Sequence, residues 1–284
     1  MGKDIYKRFN DAKKVFKLGS EITGISLEDL CFNTDEAQLA QTKNAQLAIF
    51  TVSMAIFEVL KNSGMLSDIS AGFSLGECSA FCSSGVFGLE DGFRIVQKRA
   101  SLMQACAEKT SGAMYAIVGL DDDKVQKACK ACGGYAVAVN FNCPKQTVIA
   151  GDEQAAGKAA QICLDMGAAK AVRLSVNGAF HTAHMNDAAD EFYEFLKNFE
   201  FKKASNILYS NVYGREMTDW DDIPGYLAAQ IKSPVLWKNE IADIATRGNV
   251  VFYEIGCGKV LTGLNRKIDK KLKTSNISTL LEAL

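Results

Sequence analysis

Apolar positions recur along the chain with two periods, and the switches between them outline its elements. Residues 47–60 are apolar at nearly every turn, which predicts a largely buried helix closed by the Asn62-Ser63-Gly64 turn cluster. A brief strand is expected at 69–71. The small and apolar residues of 75–86 then predict a helix packed on it. In 89–107, Phe93, Val96, Ala100 and Met103 fall on one face at helical spacing. Beyond Gly112 the pattern changes: strands are expected at 113–118, 135–141, 146–150 and 170–176, and helices at 122–132 and 153–166. That β-α-β-β-α-β order predicts a ferredoxin-like split unit over 112–176. The flanks, 1–111 and 177–284, are then expected to form one discontinuous α/β domain, with a substrate cleft between the two.

Composition narrows the classes. The chain has 284 residues, 48% hydrophobic and 23% charged, enough to bury a substantial core. Its formal net charge of −1 offers no global field for nucleic acid or a membrane surface. No apolar run approaches the ~18–20 residues needed to span a bilayer, and the start, Met1-Gly2-Lys3-Asp4-Ile5, lacks the apolar core of a secretory signal. Nine scattered cysteines, an odd number, point to reduced thiols and a cytoplasmic protein. Cys129 and Cys132 form a C-x-x-C inside a helical pattern with no second pair, which argues against zinc or redox use.

The chemistry-bearing feature is Gly72-Phe73-Ser74-Leu75-Gly76, a G-x-S-x-G between the short strand and the helix that follows. There the serine would sit on a tight turn, its hydroxyl held out and the following N–H groups aimed at whatever it attacks. A serine nucleophile at neutral pH needs a base, and imidazole suits the task. The chain has only two histidines, His181 and His184. His181 follows Asn177-Gly178-Ala179-Phe180 as if delivered by a loop, but an incidental surface histidine fits the residues equally well. An H-x-x-H metal pair with His184 lacks further ligands in phase, so no metal is expected. Arg99 lies beside the apolar stripe of its helix, where its planar fork would suit a substrate carboxylate; a snorkelling arginine with a surface acid is the other reading.

These segments together resemble the malonyl-CoA:acyl carrier protein transacylase family. The family's G-H-S-L-G-E elbow matches Gly72 to Glu77 except at Phe73. Its K-R-x-x-x-M-Q stretch is Lys98 to Gln104, and its N-F-N-x-P-x-Q-x-V-I-A-G run is Asn140 to Gly151. The A-F-H segment is Ala179-Phe180-His181. Gln230 precedes Ser233-Pro234-Val235-Leu236-Trp237, and 254–264 is similar to a further signature. These blocks in the right order are far more specific than any one.

The resemblance implies an α/β-hydrolase-like core carrying the ferredoxin-like subdomain, and a two-step transfer. In it Ser74 attacks the malonyl thioester, His181 takes the proton, and a backbone carbonyl near Gln230 orients the imidazole. Leu75 N–H serves the oxyanion, Arg99 grips the malonyl carboxylate, and Phe180 and Asn140 border the acyl group. No cofactor is implied beyond the coenzyme A thioester substrate and the phosphopantetheine of the partner, acyl carrier protein. A monomer is expected, with no nucleic-acid or membrane partner. The basic run Arg266, Lys267, Lys270, Lys271 and Lys273 reads either as a face for an acidic carrier protein or as a solvated helix surface.

Two departures carry consequences. Phe73 stands where the family has histidine, removing a polar contact. The family also begins with a strand and a P-G-Q-G segment whose glutamine N–H supplies half the oxyanion hole, whereas this chain starts past that point. A natural protein longer than this chain is the favoured reading. The alternatives are a substitute segment, or a catalytically impaired relative that binds coenzyme A or carrier protein. A trans-acting polyketide acyltransferase and a thioester hydrolase are the competing activities.

Overall fold

The computed structural model describes residues 1–176, 178–277 and 281. The main body is built on long helices. Asn10–Thr23 and Thr42–Asn62 pack with Leu89–Lys109 around Phe16, Phe50, Phe81 and Phe93, all fully buried. Phe50 and Phe93 meet edge to face, with centroids 5.2 Å apart, the arrangement their ring quadrupoles favour. The helix Thr42–Asn62 begins and ends beyond the predicted 47–60. At 21 residues it is long and apolar enough by composition to cross a membrane, which the search for an unbroken apolar run did not register; it is largely buried within the protein.

Among the described residues the strands in chain order are β1 (Ile69–Ser70), β2 (Gly112–Val118), β3 (Ala136–Cys143), β4 (Gln146–Asp152), β5 (Lys170–Arg173), β6 (Ile207–Ser210), β7 (Arg215–Glu216), β8 (Val251–Glu254) and β9 (Lys273–Asn276). In the main body β1 pairs parallel with β6, β6 antiparallel with β7, and β8 parallel with β9. Parallel pairing with intervening helices makes this an α/β architecture. Among the described residues β1 is an edge strand, and Val251 and Tyr253 of β8 are exposed.

The second sheet has the order β3-β4-β2-β5, antiparallel throughout, with helices Asp122–Ala131 and Glu153–Asp165 on one face. This is the strand order of a split βαββαβ unit. Side chains alternate across it with the period of a pleated strand. Ile117, Ala136 and Ile149 enter the core under the two helices, while Met114, Val139, Val148 and Ala150 join the core of the main body. The unit is therefore docked through the other face of β2, β3 and β4, while Val172 on β5 stays exposed. A backbone stitch fixes it: Phe141 N–H donates to Val235 O at 2.9 Å and Val235 N–H to Val139 O at 2.7 Å.

Two element ends differ from expectation. The helix Leu75–Ser83 stops short of 86 because Gly85 adopts φ +76° and Val86 N–H folds back to Phe81 O, a glycine C-terminal cap. Strand β5 ends at Arg173 rather than 176, after which Leu174 N–H makes a last bond to Met114 O.

Candidate active site

Ser74 lies between β1 and the helix Leu75–Ser83, with φ 51° and ψ −104°. That conformation is costly for a residue with a side chain, on the order of 1–3 kcal/mol, and it turns Oγ away from the chain. The elbow closes because Gly72 has no side chain: a Cβ there would lie 2.0 Å from Gly76 O. Gly76 and Glu77 N–H groups bond back to Phe73 O and Ser74 O. The Leu75 N–H, first in the helix, has no acceptor among the described residues.

His181 reaches Ser74 from the opposite side of the chain, Nε2 to Oγ 2.8 Å. Its own backbone is at φ 62°, tied by His181 N–H to Ile231 O. Nδ1 faces two carbonyls, Gln230 O at 3.1 Å and Ser233 O at 3.0 Å. Carbonyls only accept, so Nδ1 carries the proton and Nε2 offers its lone pair to the serine hydroxyl. The Gln230 carbonyl is at the end of the helix Ile223–Gln230, where the last C=O groups lack a helical partner, and the Ser233 carbonyl is in the turn that follows. Burial, and then the nearby Arg99 charge, push the imidazole down to about 4, so it is neutral at neutral pH.

Arg99 is 1% exposed, on the helix Leu89–Lys109. It donates to Gln46 Oε1 at 2.5 Å, Gln230 Oε1 at 3.0 Å and Ser74 Oγ at 3.3 Å, and its Nε has no partner. No carboxylate pairs with it among the described residues. A buried guanidinium held only by neutral acceptors leaves a positive charge beside the nucleophile, which a bound carboxylate would compensate.

A polar cluster under the elbow went unread in the sequence. Asn211 accepts Ser74 N–H at 2.7 Å through Oδ1 and donates through Nδ2 to Gly72 O at 2.6 Å and Glu240 Oε1 at 2.9 Å. Glu77 Oε1 accepts Asn211 N–H at 2.9 Å and the Tyr226 hydroxyl. Burial raises the Glu77 carboxyl to about 7 and Glu240 well above the usual carboxylate range. Gln230, chosen for its backbone, also uses its side chain: Nε2 donates to Ser74 O at 2.9 Å. Gln46 and Asn211 had no signal, since polar residues in an apolar helix and after a short strand are ordinary.

Other sequence candidates lie farther out. Phe180 is buried in the main core beside His181. Asn140 sits on β3 with its amide oxygen buried and unpartnered, bridged through backbone to Val235. Phe73, in the family's histidine position, packs edge-on against Trp237. Asn177 lies outside the described residues. His184 binds Asp152 at 2.9 Å and stacks on Tyr135. In the basic run, Arg266 donates to Thr274 O and Lys267 to Gln146 Oε1.

Fold and site together are those of an acyl-transferring α/β protein with a serine on a strand-to-helix elbow. A family model described as an acyl transferase domain matches residues 1–279. The malonyl CoA-acyl carrier protein transacylase of Bacillus subtilis (strain 168) is 36% identical over 281 residues, covering 98% of this chain and 89% of that one. An acyl carrier protein S-malonyltransferase from Vibrio cholerae O1 superposes with a TM-score of 0.95 at 34% identity, covering 100% of this chain and 95% of that one. The malonyl-transacylase in a complex with a type II polyketide acyl-carrier protein gives 0.95 at 33%, covering 100% and 94%. The chain belongs to the malonyl CoA-acyl carrier protein transacylase family.

Proposed function

We propose that this protein moves a malonyl group from malonyl-CoA to the phosphopantetheine thiol of acyl carrier protein, in fatty acid synthesis. Ser74 Oγ attacks the thioester carbonyl while His181 Nε2 takes its proton, and Nδ1 stays bonded to Gln230 O and Ser233 O throughout. The oxyanion receives the Leu75 N–H at the positive end of its helix. Collapse forms a malonyl ester on Ser74, and His181 returns the proton to the departing coenzyme A thiolate. The carrier thiol, deprotonated by the same imidazole, then takes the malonyl group and restores the hydroxyl. Neither step needs a cofactor or metal in this reading. Cytoplasmic location and a monomeric state belong to the same proposal.

The observation that carries the reading is Arg99: a buried guanidinium without an acid partner among the described residues, within 3.3 Å of the nucleophile. A plain hydrolase has no use for it. Incubation with malonyl-CoA and intact-mass measurement, with Ser74→Ala as control, tests the reading. A malonyl adduct absent from the variant and discharged by carrier protein supports it; no adduct on the wild-type chain overturns it. The neighbour bound to a polyketide carrier gives a second destination the same support, and discharge to polyketide rather than fatty-acid carrier protein would favour that one.

A further inference from the structure

We infer that Asn211 is a positioning residue for the nucleophile, a clamp that holds the Gly72-Phe73-Ser74 turn from beneath while Glu240 fixes which way its amide points. This rests on reading Ser74 as the nucleophile. The turn stores strain at Ser74, whose φ of 51° a residue with a Cβ rarely adopts. Left alone, the turn would relax and swing Oγ away from His181. One side chain meets both of its ends: Asn211 Oδ1 takes the Ser74 N–H and Nδ2 binds Gly72 O. Those bonds need the carbonyl up and the amine down, and an amide flipped by 180° would make neither.

The orientation is enforced from below. Glu240 Oε1 can only accept from Asn211 Nδ2 when its carboxyl is ionised or turned so that the bare oxygen faces the amide. Glu77 holds the backbone of the same residue through Asn211 N–H. The Asn211 side chain is fully buried. The ionisable groups around it are Glu77 on the helix Leu75–Ser83, Glu240 on Trp237–Ala245 and Tyr226 on Ile223–Gln230. Arg99 on Leu89–Lys109 and His181 stand beyond Ser74. Asn211 Oδ1 also accepts a longer bond from Gln230 Nε2 at 3.5 Å, but both of its short bonds to the turn are at Gly72 and Ser74.

The test uses the full chain with two readouts. One is the rate of malonyl-ester formation at saturating malonyl-CoA. The other is the rate at which Ser74 is phosphonylated by a simple alkyl fluorophosphonate, which needs no malonyl recognition. Both are normalised to the folded fraction from circular dichroism. Displacing a reacting atom by an ångström costs about 10²-fold, so Asn211→Ala is expected to slow both rates by about that factor with half-saturation by malonyl-CoA unchanged. Asn211→Asp keeps the size and the acceptor but donates to Gly72 O only when protonated. Its phosphonylation rate, relative to wild type at each pH, is expected to climb as pH falls from 8 to 6. Wild-type rates in Asn211→Ala, or a pH-independent ratio in Asn211→Asp, would overturn the clamp. If Asn211→Ala does not fold, the Asn211→Asp ratio decides by itself. A wild-type chain that reacts with the fluorophosphonate but takes no malonyl group would sink the functional reading and leave the clamp to be judged on the phosphonylation rates.

Discussion

At the scale of single residues, the site is set by what each buried group lacks. Among the described residues Arg99 has no acid partner, His181 is buried from solvent, and each condition suits a step. Removing the guanidinium leaves the malonyl carboxylate buried and unpaired, which in comparable charge pairs costs about 2–5 kcal/mol. Arg99→Ala should therefore lose most of its kcat/KM with malonyl-CoA while acetyl-CoA, with no carboxylate to place, is little affected or improves. Steady-state kinetics on both substrates checks this; equal losses would remove the carboxylate clamp. Arg99 was legible from its position beside the stripe of Phe93, Val96, Ala100 and Met103. Its partner Gln46 was not, because it sits on another helix, brought close only by the packing of Thr42–Asn62 on Leu89–Lys109.

At the scale of elements, the elbow depends on two glycines that differ in what surrounds them. Gly72 faces the backbone of Gly76 and Glu77, with a Cβ 2.0 Å from Gly76 O, whereas Gly76 faces open space. Gly72→Ala must push the strand off the helix and is expected to lose more than about 2 kcal/mol of stability together with the Ser74 adduct. Gly76→Ala adds a methyl to a helix interior and should hold or raise stability by up to about 1 kcal/mol. Thermal melts of the two variants separate them; similar losses in both would show that the elbow's geometry is not what Gly72 supplies. The G-x-S-x-G pattern announced the turn, but it did not distinguish the two glycines. Only the path of the backbone against itself does that.

At the scale of the whole molecule, two carboxyls, Glu77 and Glu240, are buried with Tyr226 beneath the site, and they couple its stability to pH. The folded-state value of Glu77 is raised to about 7, chiefly by burial, above that of an unfolded glutamate. The folded chain thus holds a proton that the unfolded chain has released. Its contribution is complete below the unfolded value and is lost as pH rises through about 7, a difference on the order of 2–3 kcal/mol. Glu77→Gln keeps the acceptor and removes the titration. Its melting temperature should gain on wild type as pH goes from 5 to 8, and a constant gap would show that Glu77 does not titrate there.

The sequence by itself determined the α/β class, the order of the split unit's elements, and the residue types of the chemistry. Helical and strand periods, turn residues and local motifs are properties of neighbouring positions, so a linear reading reaches them. It also carried the family, through matched blocks in the right order. The resemblance paired His181 with Ser74 and with a carbonyl near Gln230; only the tertiary structure supplied their distances, added the Ser233 carbonyl, and brought Asn211 and Glu240 under the elbow. Those contacts join residues from separate elements across a desolvated interior, where distance and burial rather than residue type set how strongly they interact. The docking of the small sheet was likewise beyond the sequence. Both faces of its strands carry apolar residues, and only packing against the main body shows that the second is covered along β2, β3 and β4.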